Sequence, residues 1–149
     1  MSVSTSASLW TLLSLWVLVS ASEGQIIRAV SGDNVPLPCR APRDTNIIAV
    51  EWTRPDLEPD SVFFQRGSRP VTDKQHPSFK NRVELVDRQM KDGDVSLILK
   101  NVKREDTGRY ECRVKRGTNR RKRSYLNTEP IISIINLDVR GELVESRLR

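Results

Sequence analysis

Cys39 and Cys112 stand 73 positions apart. Trp52 lies 13 residues after the first, and Tyr110 two before the second, inside the run Asp106-Thr107-Gly108-Arg109-Tyr110-Glu111-Cys112. Each of these residues falls in an alternating segment. Val35, Leu37 and Cys39 alternate with Asn34, Pro36 and Pro38; Ile48, Val50 and Trp52 with Ala49, Glu51 and Thr53; Tyr110, Cys112 and Val114 with Glu111, Arg113 and Lys115. A period of two is the mark of a strand with one buried face, so the first-named triplet of each set is expected to point inward.

The rest of the chain follows the same rule. Gln25 to Val30 reads as an edge strand, residues 62–65 and 82–86 as two more, and Val95, Leu97 and Leu99 as an apolar strand face after the turn at residues 91–94. Ile135, Leu137 and Val139 give the last strand. No stretch of 12 or more shows helical spacing, so the fold class is all-β. Pro36 and Pro38 cannot donate to a ladder, and positions i and i+2 present their nitrogens to one side. Both are therefore expected to face away from the strand carrying Leu97.

The cysteine–tryptophan–tyrosine spacing resembles an immunoglobulin domain, whose two antiparallel sheets are joined by one disulfide packed on a tryptophan. The resemblance implies a Cys39–Cys112 bridge, and the secretory leader described below agrees with it, because an even cysteine count in an oxidising compartment reads as a bridge. Two cysteines and a lone His76 form no metal-ligand cluster. The 42 residues between Trp52 and Val95 suit a variable-type sandwich with two extra strands better than a constant-type one. Val50-Glu51-Trp52, residues 92–102 and residues 106–112 are similar to variable-set domains of the butyrophilin group, which includes myelin oligodendrocyte glycoprotein and ligands that tune T-cell activation. That likeness implies a structural pair between Arg82 and Asp106, a tyrosine corner at Tyr110, and core positions at Trp52 and Leu97. Antigen-receptor domains carry a Gly-x-Gly bulge in the last strand; residues 131–139 contain no glycine, so pairing of that type is not implied.

Residues 9–19 are an apolar run of 11, short of the ~20 needed to cross a bilayer, followed by small residues. Residues 1–21 are therefore expected to be a secretory signal, with cleavage after Ala21 preferred to Gly24, although its start lacks Lys or Arg. The domain is then residues 22–140, and residues 141–149 a short polar tail. No second hydrophobic segment follows, so the product is expected to be secreted, or displayed outside the plasma membrane if it belongs to a longer form.

The chain carries 25 basic and 19 acidic residues. Seven of the basic ones fall in residues 113–123; without them 18 basic residues face 19 acidic ones, a net of −1. Arg116, Arg120, Arg121, Lys122 and Arg123 are thus candidate contacts for an acidic protein face or sulfated glycan, through attraction that salt weakens. The alternatives are a solvated loop, or cleavage at residues 120–123 by a dibasic-specific protease. Nucleic acid is disfavoured because no aromatics interleave the run. On the sheet, Ile132 and Ile134 are expected to point outward, with one of Phe63 and Phe64, forming an apolar partner-binding patch; the alternative is a bulge that turns one isoleucine inward. There is no Asn-x-Ser/Thr acceptor. No catalytic constellation or cofactor motif appears, so an enzyme is not expected. The sequence reads as a ligand or receptor in immune recognition with a protein partner on a lymphocyte or other cell surface. The rivals are a homophilic adhesion molecule that forms a homodimer, and a soluble glycan-binding module using the basic loop.

Overall fold

The computed structural model describes residues 24–43, 45–117 and 129–141. They form two packed sheets from nine strands: β1 (Gln25–Val30), β2 (Val35–Leu37), β3 (Ile47–Thr53), β4 (Phe63–Arg66), β5 (Arg69–Pro70), β6 (Val83–Leu85), β7 (Leu97–Leu99), β8 (Gly108–Arg116) and β9 (Ile131–Arg140). One sheet runs β1-β9-β8-β3-β4-β5 and the other β2-β7-β6. Pairing is antiparallel except that β1 lies parallel to β9, with Ile27 opposite Leu137 and Ala29 opposite Val139. The secretory leader expected at residues 1–21 and the tail at residues 142–149 lie outside the described residues.

The alternating triplets supply the core. Leu37, Leu97, Leu99, Val50, Trp52, Tyr110 and Ile135 are fully buried between the sheets. The Cys39–Cys112 bridge joins them across a 6.6 Å Cα–Cα gap. Beside it the Trp52 indole N–H donates to Val95 O on the facing sheet at 3.0 Å, so the largest core side chain has its polar atom satisfied.

One end of the sandwich is closed by charge. Arg82 donates to the Asp106 carboxylate and to the carbonyls of Ser78 (2.6 Å) and Asn101 (3.2 Å). Asp106 also accepts the Lys103 N–H at 2.8 Å, and its carbonyl takes the Tyr110 hydroxyl at 2.5 Å. The pair and the tyrosine corner are thus one network, and burial pushes the Tyr110 phenol above its usual range. Arg54, which the sequence did not single out, grips Asp56 through Nε (3.1 Å) and Nη2 (2.6 Å) and lies over the Tyr110 ring. A Cβ at Gly108 would approach that guanidinium to 3.1 Å, so a larger residue there would push Arg54 by a few tenths of an ångström.

Pro36 lies in β2 and Pro38 just past its end; among the described residues β2 pairs only with β7. Pro38 O accepts from Ser133 Oγ on β9 (3.0 Å), whereas Cys39 O accepts Val95 N–H on the β7 side (2.9 Å). Alternation along the strand therefore turns both proline nitrogens away from β7, as expected.

One inward assignment fails. Ile48 is 37% exposed, because the register of β3 against β8 slips between Ile47 and Ala49 and Ile47 packs against the core instead. An extra residue reverses the faces on its far side.

Arg82→Ala should destabilise the domain by about 3–5 kcal/mol, since it leaves the buried Asp106 carboxylate unpaired. Urea unfolding followed by tryptophan fluorescence measures it.

Candidate functional site

The outer face of the six-stranded sheet is built by the residues that alternate with the core. Cross-strand register sets them in rows: Ile131, Arg113, Glu51 and Phe64 in one, Ile134, Glu111 and Thr53 in the next, Ile26, Asn136 and Arg109 in a third. Lys115, Ala49, Arg66 and Arg69 form a fourth, towards the end of β8.

A charged band runs up the middle of this face. Glu111, only 7% exposed, takes Arg109 Nε at 2.9 Å and lies 3.4 Å from Arg113 Nη1. Arg113 also donates to Thr53 Oγ1 (3.3 Å) and, through Nε, to Glu129 O (3.1 Å), which ties the segment leading into β9 to β8 and β3. Three strands are thereby cross-linked by one set of charge-assisted bonds. Glu51 lies between Arg113 and Phe64 in its row and is half-buried. Burial raises its pKa above the ordinary 4.5; the charges of Arg113 and Lys74 oppose that rise and Glu58 adds to it.

Apolar groups flank the band on both sides. Ile134, half-buried, lies opposite Glu111, and Gly24 (φ +83°) runs so close that a Cβ there would meet Ile134 Cγ2 at 2.8 Å. Ile26 on β1 is 61% exposed. On the far side Phe64 is half-buried, with the Arg66 guanidinium 5.4 Å from its ring centroid.

Two residues expected in the patch are elsewhere. Phe63 is buried in the core opposite Trp52, so of the adjacent phenylalanines Phe64 faces out. Ile132 does not face outward: β9 bulges between the pairs Cys112–Ser133 and Arg113–Ile131, and Ile132, the extra residue, packs against the core. The bulge forms without a glycine and hands the outer position to Ile131. Arg116 is exposed at the end of β8. Arg120, Arg121, Lys122 and Arg123 lie outside the described residues. Sequence reasoning missed Ile26 and Ile131; the alternation of β1 against Ile27 and Ala29 could have found the former.

A family model described as the immunoglobulin V-set domain matches residues 22–129. Putative butyrophilin subfamily 2 member A3 of Homo sapiens is 35% identical over 118 residues, covering 74% of this chain and 20% of that protein. Myelin-oligodendrocyte glycoprotein of Macaca fascicularis is 36% identical over 90 residues, covering 59% of this chain and 36% of that protein. The chain thus spans only about a fifth to a third of the length of these curated relatives. Among solved structures, bovine butyrophilin superposes with a TM-score of 0.64 at 26% identity, over 79% of this chain and 52% of that one.

The raised pKa of Glu51 has a consequence for stability. The folded state holds the proton more tightly than the unfolded chain, so the contribution is present below pH 4.5 and lost as pH rises through the folded value. Glu51→Gln should therefore melt higher than the parent at pH 7, and the difference should vanish below about pH 4 in paired thermal scans.

Proposed function

The chain belongs to the immunoglobulin V-set family, and on that premise we propose that it is a binding module of immune recognition. It acts as a ligand or receptor that meets a protein on a lymphocyte surface and regulates lymphocyte activation. Residues 1–21 send it through the secretory pathway. No helix among the described residues is long and apolar enough to cross a membrane.

The observation that carries this reading is the composition of the outer face. Ile26, Ile131, Ile134 and Phe64 stand on separate parts of a rigid sheet around the Arg109–Glu111–Arg113 band. Protein interfaces combine apolar and aromatic anchors with polar groups whose hydrogen bonds are already satisfied, and a few such anchors dominate affinity. The band holds its charges in fixed geometry before a partner arrives, which lowers the ordering cost of association. Kinship with butyrophilin and myelin-oligodendrocyte glycoprotein supports a surface-recognition role of this kind.

Fluorescent tetramers of the domain should stain a lymphocyte subset. Phe64→Ala and Ile134→Ala should each weaken staining roughly tenfold or more, as removal of an interface anchor does, without abolishing folding. If both variants stain like the parent while Ile98→Ala on the three-stranded sheet abolishes staining, the assignment of the face is wrong.

A further inference from the structure

The fourth row of the outer face does not fit a purely structural account. Arg66 and Arg69 lie directly opposite one another across the β4–β5 hairpin. Like charges in that relation destabilise a sheet. Both are exposed, and among the described residues neither has a carboxylate within ion-pair distance. The next position in the row is Ala49, small and buried, and beyond it comes Lys115. At about 4.8 Å per strand, the row from Arg69 to Lys115 runs roughly 14 Å.

The hairpin is held firmly. Its turn opens on Gly67 (φ +61°), the geometry that a two-residue hairpin takes with glycine first. Gly67 N–H donates to Ile48 O at 2.8 Å, and Val71 N–H to Phe64 O at 2.8 Å. Beneath it Gln65, 1% exposed, donates through Nε2 to Gly67 O (3.1 Å) and Arg88 O (3.0 Å). Arg66 is further steadied over the Phe64 ring. Two arginines are thus fixed side by side with their repulsion unrelieved.

We propose that the Arg69–Arg66–Ala49–Lys115 row is a binding site for a sulfated glycan chain, adjoining at Phe64 the apolar surface assigned above to the protein partner. A linear polyanion suits a linear row of cations, and the guanidinium fork matches the paired oxygens of a sulfate. An acidic peptide fits less well, because Ala49, the one apolar member of the row, is buried and offers its side chains no contact. Stacked bases have no platform, since the one aromatic nearby, Phe64, is overlaid by Arg66.

The test is titration of the secreted chain with a heparin-derived oligosaccharide at several salt concentrations, using the parent, Arg66→Ala/Arg69→Ala, and a variant with residues 120–123 changed to alanine. The expected result is that the hairpin double variant binds at least tenfold more weakly, with the salt slope reduced by about two, since each cation releases close to one counterion. Its melting temperature should be equal or higher, because a repulsion has been removed. The loop variant should keep measurable affinity, and poly-glutamate or desulfated heparin should compete poorly. Unchanged affinity in the hairpin variant, complete loss in the loop variant, or equal competition by poly-glutamate would overturn the proposal.

Discussion

Everything in this domain depends on one place where the two sheets are tied through the core. The Cys39–Cys112 bridge and the Trp52 indole bond to Val95 O cross the sandwich side by side. Closing a loop of 73 residues removes about 4 kcal/mol of denatured-state freedom in the chain-entropy account. The indole bond does something different: it fixes how β3 sits against the sheet of β7 and so which of its residues face out. Because Trp52 points in, Glu51 and Thr53 must point out, and Arg113 and Glu111 opposite them follow. The outer face is the reverse side of the core.

That relation explains what was legible from residues alone. The period-two pattern around Cys39, Trp52 and Cys112 identified three strands and their buried faces, and the Arg82–Asp106 and Tyr110 network stands where the family resemblance implied it. What escaped was the extra residue. Nothing in the side chains of Ile47 and Ile48, or of Ile131 and Ile132, says which will occupy a bulge; that is decided by the pairing of β3 with β8 and of β8 with β9. One inserted position exchanges inside for outside, so Ile48 came out and Ile132 went in. Phe63 and Phe64 posed the same two-way choice, resolved by the register that sets Phe63 opposite Trp52.

The charged features divide by burial. Arg82–Asp106 and Arg54–Asp56 have arginine side chains largely out of solvent, with extra hydrogen bonds to carbonyls, as a structural ion pair requires. Arg109–Glu111–Arg113 is intermediate, buried at the carboxylate and open at one arginine. Arg66 and Arg69 are exposed, with no ion pair among the described residues. Charge that stabilises the fold lies at the Asp106 end, whereas Arg66 and Arg69 sit on the β4–β5 hairpin. A net charge of +6 therefore says less than where its members stand.

The central claim is that recognition belongs to the outer face of the six-stranded sheet. A carbohydrate wedge tests it directly, because the native chain has no acceptor of its own. Asp138→Thr makes Asn136 an acceptor on that face, while Glu84→Asn with Val86→Thr creates one on the outside of β6 in the opposite sheet. Both variants are expressed in glycosylating cells, occupancy is confirmed by mass, and staining of lymphocytes is compared. The account expects the glycan at Asn136 to abolish staining and the glycan on β6 to leave it intact. Full staining with Asn136 occupied, together with loss when β6 carries the glycan, would contradict it.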